Sequence, residues 1–298
     1  MSTPPVQATV VEEVRTVAVS VRKIAEKKPG EFLQGLMVVV VFTAMTAEAL
    51  WDTNLARSWL ICVALLTVFI AALGLWIMGD TAGVLISNRN LVSMSRTQII
   101  LWTLIIFPAL LVLAAQRARH GVPDALSISI PPEVWGALGI SLASLVGTPL
   151  LLYPKTDQVP SEKALVKTQT ALSDPSQPIS AQQISQQSLG TLFSNPDPSD
   201  ARISDMFQGD EVGNAGYVDP AKVQMFVLTL VLVLIYAVYL WQMFAAIKVS
   251  PGAGSNALQA ALAAANSLPA LSSSQIALLG ISHAGYLTSK AVSHTDQQ

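Results

Sequence analysis

Charged residues are scarce in this chain. Only 12% of its 298 residues are Asp, Glu, Lys or Arg, and 52% are apolar. A soluble domain usually has about twice that charged fraction. The composition therefore excludes a wholly water-soluble fold and predicts lipid as the main solvent. The formal net charge of −2 gives no support for nucleic-acid binding.

Cysteine and catalytic motifs are also lacking. The single cysteine, Cys62, excludes an intramolecular disulfide and any metal cluster built on several cysteines of one chain. The chain has no Gly-rich phosphate loop, no His-Glu-x-x-His and no nucleophile elbow. The sequence therefore predicts no catalytic residue, cofactor site or metal site, and we expect a protein that is not an enzyme.

What the chain does have is apolar runs. A run of about 20 residues crosses a hydrocarbon core of about 30 Å as a helix. The last run is the weakest, because it contains His283 and Lys290, and a re-entrant segment is the alternative there. The runs predict an all-α, polytopic transmembrane protein with six spans: Phe32–Leu50, Trp59–Met78, Thr97–Ala115, Val134–Leu152, Val223–Ile247 and Gln275–Val292.

Three short patterns occur twice in the same order. They are Gly-Asp-x-x-Gly, a basic residue two positions before Gln with Thr-Leu following, and Leu-Gly-Ile-Ser-x-Ala. Each has the same place relative to an apolar run, which indicates a duplicated two-helix unit. The patterns begin at Gly79, Arg96 and Leu138 in the first copy and at Gly209, Lys222 and Leu279 in the second.

The composition divides the chain further. Residues 1–31 are polar and basic and contain a possible amphipathic helix, which would lie on the membrane or on a partner; a partly ordered tail is the alternative. Residues 153–208 are rich in Ser, Gln, Pro and Asp, which predicts a flexible insert with one short helix near Ile203 to Phe207. The predicted parts are the arm 1–31, spans one and two in 32–78, repeat A in 79–152, the insert 153–208, repeat B in 209–292 and the tail 293–298.

Basic residues predict the orientation. With six spans, most Lys and Arg fall on the side that carries both termini and the insert. The positive-inside rule places that side in the cytoplasm. Both repeats then start on the cytoplasmic side, so they are parallel repeats related by an axis along the membrane normal.

A few polar residues lie inside the predicted spans. Gln98 is equivalent to Gln224 under the repeat, and Thr103 to Thr229. These residues either hold the two halves together by hydrogen bonds or line a polar pathway. His283 is either a functional intramembrane group or a neutral imidazole bonded to a neighbouring helix.

Small residues predict helix packing. Gly139, Ala143 and Gly147 recur every four residues and form one smooth strip, and Gly280 and Ala284 occupy matching positions in repeat B. Such strips let another helix approach closely in lipid.

The two Gly-Asp-x-x-Gly motifs lie at the predicted cytoplasmic face. Asp80 and Asp210 would each either close a turn or bind a cation there, and turn chemistry is the commoner role of this pattern.

Three stretches carry a resemblance. They are Ser93 to Gln98 leading into Leu101-Trp102-Thr103, Asp219 to Phe226, and Leu278 to Leu287. They resemble stretches of bacterial multi-span membrane proteins of unassigned function. The resemblance implies a location in the bacterial inner membrane, and it carries no activity.

These observations favour a non-enzymatic inner-membrane scaffold or anchor subunit. The expected partners are the lipid bilayer, further copies of the chain and other membrane or cytoplasmic proteins, and no nucleic acid. The alternative is a channel or small-solute transporter with a path between the two repeats. A membrane enzyme built on Ser282, His283, Tyr286 and Lys290 is the weakest of the three possibilities.

Overall fold

The computed structural model describes residues 29–172, 179–247 and 255–297. Every regular element in these ranges is helical, so the predicted all-α class is confirmed for them. The chain divides into two compact units, Met1–Ala44 and Met45–Gln298, and every contact described below lies within the second. The predicted N-terminal arm lies outside the described residues, apart from its last three.

The described ranges contain nine α-helices. Five are long and apolar enough to cross a membrane, namely α1, α2, α3, α4 and α7. The last helix, α9, is not one of the five, so the sixth span stays a prediction. The helices are α1 (Pro29–Trp51), α2 (Leu55–Met78), α3 (Met94–Arg119), α4 (Pro132–Leu152), α5 (Glu162–Leu172), α6 (Ala181–Gln187), α7 (Pro220–Ala246), α8 (Ser255–Ala264) and α9 (Ser273–Ala291).

Helices α3 and α7 begin at side-chain caps. The α3 cap is Ser93, whose hydroxyl accepts from the amide of Arg96. The α7 cap is Asp219, whose carboxylate accepts from two first-turn amides, and Pro220 follows it. Asp as cap with Pro in the first turn is an arrangement that local chemistry favours.

Helices α4 and α9 lie side by side and run in the same direction. Near the start of each, Gly136 lies against Ile276, and eleven residues later Gly147 lies against Leu287. A Cβ on Gly136 would come within 3.2 Å of the Ile276 side chain. The absence of a side chain at this glycine therefore brings the two helices close together.

Helices α3 and α7 also pack in the same direction. Gln98 of α3 bonds Thr229 of α7, and further along both helices the rings of Trp102 and Tyr236 meet edge to face, with centroids 5.9 Å apart. Such an aromatic pair contributes about 0.5–1.5 kcal/mol beyond its buried area.

Three segments outside the long helices, within residues 79–93, 153–219 and 292–297, are joined by hydrogen bonds. Asn90 and Asn195 exchange amide-to-carbonyl hydrogen bonds of 2.9 Å, and the amide of Ser161 donates to the carbonyl of Asp296 at 2.8 Å. The three segments therefore lie at the same end of the helices. We call the described residues of 79–93, 153–219 and 292–297 the polar module.

The other end of the bundle has its own contacts, between residues 120–131 and 265–272, which we call the opposite connectors. The amide of Ser129 donates to the carbonyl of Asn266 at 2.8 Å. The buried guanidinium of Arg117 donates to the carbonyls of Leu262 and Ala265 at the end of α8, where cations are favoured by the helix dipole. Helix α9 thus starts at the opposite connectors and ends at the polar module.

The predicted flexible insert contains more regular structure than its composition indicated. Residues 153–172 and 179–208 include α5, α6 and three 3-10 helices, one of which is Ile203–Phe207, as predicted. The difference arises from burial that composition does not reveal: Thr168 is 1% exposed and Thr191 is fully buried. Their hydroxyls donate to the carbonyls of Val212 and Lys155.

Cysteine labelling tests the arrangement of the two ends. Ser185 on α6 and Ser127 in an opposite connector are both exposed, and the native Cys62 is buried and can be replaced by Ser. In that background we expect an impermeant maleimide to label Ser127→Cys in intact cells. Ser185→Cys should be labelled only after the membrane is opened, because the positive-inside rule predicts that the basic side faces the cytoplasm. Labelling of both variants in intact cells would contradict this arrangement.

Candidate functional site

Three of the predicted polar residues meet inside the bundle. The Nε2 of Gln98 lies 2.9 Å from the hydroxyl of Thr229, and its Oε1 lies 3.2 Å from the Nε2 of His283. The other ring nitrogen of His283 lies 2.9 Å from the carbonyl of Leu279. All three side chains are at most 2% exposed. The cluster therefore joins α3, α7 and α9 through hydrogen bonds.

A neutral imidazole can satisfy this cluster. It carries one N–H, and in the arrangement above both of its partners are acceptors. With the Gln98 amide in the opposite orientation, its NH₂ donates to His283 and its oxygen accepts from Thr229. His283 then donates to Leu279, and every polar group of the cluster has a partner without a charge in the bundle.

The remaining predicted polar residues lie apart from this cluster. Gln224 is exposed, and the hydroxyl of Thr103 donates to the carbonyl of Ile99, one turn back on the same helix, at 2.7 Å. Gln98 therefore pairs with Thr229, whereas Gln224 and Thr103, at the matching positions of the repeated sequence patterns, do not join them.

The small residues that were predicted to pack helices fall into two groups, one in contact with another helix and one exposed. Gly147 lies against Leu287, and Gly280 lies against Ile140, so both belong to the α4–α9 contact. A Cβ on Gly139 would meet no atom within 4 Å. Residues Gly139, Ala143 and Ala284 are exposed on the outer faces of α4 and α9.

The main charged cluster of the polar module surrounds Asp210. Its carboxylate is paired with Arg89 at 2.5 Å, with Lys222 at 3.2 Å, and with Lys290. Lys290 also lies 3.3 Å from Asp219, the cap of α7. These side chains are at most 11% exposed. The sequence predicted that Asp210, like Asp80, either closes a turn or binds a cation, and it did not predict the three basic side chains around Asp210.

The two copies of Gly-Asp-x-x-Gly therefore differ in role. Asp80 accepts a hydrogen bond from the amide of Ala82 at 2.7 Å, which is turn chemistry. Asp210 instead joins the connector that carries Arg89 to the start of α7 and the end of α9. The signal in the sequence is the presence of lysines at the ends of apolar runs, where long side chains reach the interface.

Electrostatics decide the protonation state of Asp210. Burial alone raises the pKa of a carboxyl group, but the positive charges of Lys222, Lys290 and Arg89 outweigh burial and hold the pKa of Asp210 well below its usual range. Lys222 lies in the first turn of α7, where the helix dipole disfavours a cation. The carboxylates of Asp210 and Asp219 offset that cost.

A second buried pair lies next to the first. Lys155 and Glu211 are 2.6 Å apart and at most 5% exposed. Lys155 also donates to the carbonyls of Lys290 and Val292 at the end of α9, and Glu211 accepts from the amide of His294. The pair therefore connects the end of α4 to the residues that follow α9.

A cavity of about 250 Å³ opens between the bundle and the polar module. Its lining comes from the start of α3, the end of α4, residues 189–210, Lys222 of α7 and Tyr286 of α9. Among the described residues, no group of three or more His, Cys, Asp or Glu side chains is placed to hold a metal ion.

No family model, no curated protein and no solved structure matches this chain.

Replacing Asp210 tests whether the three cations depend on it. We expect Asp210→Asn to lower the free energy of unfolding by about 3–5 kcal/mol, because Arg89 and Lys222 lose their carboxylate partner and Lys290 keeps only Asp219. Asp80→Asn is the matched control and should cost less than about 1 kcal/mol, since the amide oxygen still accepts from Ala82. Unfolding in mixed detergent micelles, followed by tryptophan fluorescence, measures both. Equal losses in the two variants would contradict the assigned role.

The pH dependence gives a second measurement on the same variant. Because the folded-state pKa of Asp210 is depressed, its stabilisation is complete above the ordinary Asp value and is lost as the pH falls through the folded value. The difference between wild type and Asp210→Asn should stay constant down to about pH 5 and shrink below about pH 4. A difference that grows on acidification would contradict this assignment.

Proposed function

We propose that this chain is a non-enzymatic scaffold or anchor subunit of a bacterial inner membrane, assembled into an oligomer or a larger membrane complex. The observation that carries the proposal is the attachment of the polar module to the bundle. Buried ion pairs of Asp210 with Lys222 and Lys290 fasten the module to the start of α7 and the end of α9, and Lys155 of the module donates to the carbonyl of Lys290. The module is thereby held in a fixed place at one membrane face, as an anchor for partners requires.

The outer surface of the module suits polar partners. The exposed positions of α6 include Gln182, Gln183 and Gln186, and those of α5 include Lys163 and Lys167. A surface of amides and charges favours contacts with a soluble or peripheral protein over burial in lipid. The partner class we propose for this face is therefore a cytoplasmic protein.

Self-association has a separate candidate surface. Gly139 and Ala143 are exposed on α4, and the small side chains leave room for a helix from a second copy. We propose that this strip packs subunits together, because inside the subunit α9 contacts Gly136 and Gly147 instead.

The proposal includes six spans, with α9 as the sixth, and a duplicated α3–α4 and α7–α9 unit. Two contacts support it: α4 with α9, and α3 with α7, each pair running in the same direction. Same-direction pairs are what a duplication about an axis along the membrane normal produces. Both termini and the polar module are assigned to the cytoplasm by the positive-inside rule.

The mass of the purified particle tests the scaffold. Light scattering in a mild detergent should give a protein mass well above one 31.6 kDa chain. Ala143→Leu should reduce that mass if copies meet at the strip, and the double variant Gln182→Arg, Gln186→Arg should reduce it if a partner binds α6. Ala64→Leu, at an exposed position of α2, is the control and should leave the mass unchanged. A wild-type particle of one chain would contradict the proposal.

The second candidate is a channel or small-solute transporter. The observation that favours it is the cavity between the proposed repeats, whose lining includes Ser95 and Thr148 from the first and Lys222 and Tyr286 from the second. The Gln98–Thr229–His283 cluster would then close the path below the cavity.

Flux measurements separate the two candidates. A transporter predicts flux of small anions or cations into proteoliposomes that contain the wild-type chain. Gln98→Ala should change that flux at least tenfold, because it removes the central member of the interior cluster. Gln224→Ala is the matched control, since Gln224 is exposed. Equal flux in protein-free liposomes would exclude the transporter and leave the scaffold.

A further inference from the structure

The cavity between the bundle and the polar module has the size of a small ligand site. Its volume of about 250 Å³ approaches the lower end of the range of about 300–1,000 Å³ for ligand pockets. Its wall combines charged groups with apolar side chains such as Leu91, Leu145 and Leu192. A mixed wall of this kind suits a ligand with a polar group and a short apolar part.

One cation on this wall has no carboxylate partner in the described part of the chain. The Nη1 of Arg96 donates to the carbonyls of Ile86, at 2.6 Å, and Val84, at 3.5 Å. Its Nε and second terminal nitrogen find no acceptor among the described residues. By contrast, Arg89 and Lys222, which also line the cavity, are paired with Asp210. The guanidinium of Arg96 is therefore the donor that remains for a ligand, and its fork geometry suits phosphate or carboxylate oxygens.

The surroundings carry an excess of positive charge. Four cations lie on or next to the cavity, and three carboxylates accompany them: Arg89, Arg96, Lys222 and Lys290 with Asp205, Asp210 and Asp219. At least one positive charge is left without a partner, and at a partly buried site an anion is its natural complement.

A buried hydroxyl adds a second donor. Tyr286 is 3% exposed and lines the cavity, and its oxygen accepts from Thr148 at 3.2 Å. The hydroxyl of Ser95 also hydrogen-bonds with the Tyr286 phenol and lies 3.5 Å from that of Thr148, so the three hydroxyls form one group on the cavity wall. The ammonium of Lys290 lies 4.8 Å from the centre of the Tyr286 ring. Because hydroxyl protons rotate, this group can turn a donor toward an anion in the cavity.

The start of α3 contributes to the same wall. Ser93, Met94 and Ser95 line the cavity, and in the described structure the amides of Met94 and Ser95 have no protein acceptor. The positive end of the helix dipole thus faces the cavity, together with two free amides. The cavity also lies where the α3 and α4 spans meet the polar module, which is the depth of lipid headgroups.

We propose that this cavity binds a phosphate group, held by Arg96 and Tyr286 at the start of α3. Two sources share that chemistry: the headgroup of an anionic phospholipid, and a small soluble phosphate compound. The site is separate from the surfaces proposed for partners, and its occupation would bridge the bundle and the polar module.

Thermal unfolding of the full chain in detergent tests the site. One arm titrates inorganic phosphate against sodium chloride of equal ionic strength. The other adds phosphatidylglycerol or, as a neutral control, phosphatidylcholine to the micelles. We expect saturable stabilisation of the wild type, and apparent affinity at least about tenfold weaker in Arg96→Gln. Arg202→Gln makes the same charge change at an exposed position and should bind like the wild type.

Tyr286→Phe provides a second variant if Arg96→Gln fails to fold, because it removes one hydroxyl and keeps the ring. It should weaken binding about threefold or more. Stabilisation by phosphatidylglycerol alone identifies a lipid ligand, and stabilisation by inorganic phosphate identifies a soluble one. If neither probe stabilises the wild type, or if both Arg96→Gln and Tyr286→Phe respond like Arg202→Gln, the proposal is overturned.

Discussion

The carboxylate of Asp210 is the point on which the arrangement of the polar module depends. It joins Arg89 in the first connector, Lys222 at the start of α7 and Lys290 at the end of α9. Their side chains are at most 11% exposed, so bulk water can do little to replace a lost partner. An ion pair at such a depth adds little net stability by itself, yet the loss of one member is costly. The cluster therefore determines which segments meet, and it contributes less to the free energy of folding.

The interior of the bundle is held by neutral hydrogen bonds and packing, in contrast to the ion pairs of the polar module. There the polar groups are neutral, and Gln98 connects Thr229 and His283 across three helices. In lipid such bonds contribute about 0.6–2 kcal/mol each, because the separated helices also find partners. The aromatic contact of Trp102 with Tyr236 lies further along the same helix pair. The ion pairs around Asp210 thus lie at one end of the helices, and the middle of the bundle is held by side-chain packing and a few hydrogen bonds.

Periodicity and composition were sufficient to predict the helical class and most of the long helices, because apolar length alone decides whether a helix can cross a bilayer. Local chemistry was equally sufficient for the Asp219 cap and for the short helix at Ile203–Phe207. The sequence could not distinguish Asp80 from Asp210, since identical motifs surround them. The difference arises from Lys222 and Lys290, which tertiary structure brings to only one of the two.

The sequence was also insufficient to predict how the interior polar residues pair. The repeat predicted that Gln98 and Thr229 are important to the contact between the halves, but their direct pairing depends on the relative shift of α3 and α7. The order within residues 153–208 was missed for a similar reason. Hydroxyls such as that of Thr191 are buried against carbonyls distant in sequence, and no local pattern reports such contacts.

The residues after α9 have a consequence for the order of assembly during synthesis. Thr295 and Asp296 bond the amides of Gly213 and Ser161, and Lys290 completes the ion cluster around Asp210. Every helix of the bundle is translated before these residues emerge from the ribosome. The polar module therefore lacks these closing contacts until residue 296 has been synthesised, and insertion of the earlier helices into the membrane precedes its completion. A nascent chain halted before residue 290 would leave the polar module open to chaperones and proteases.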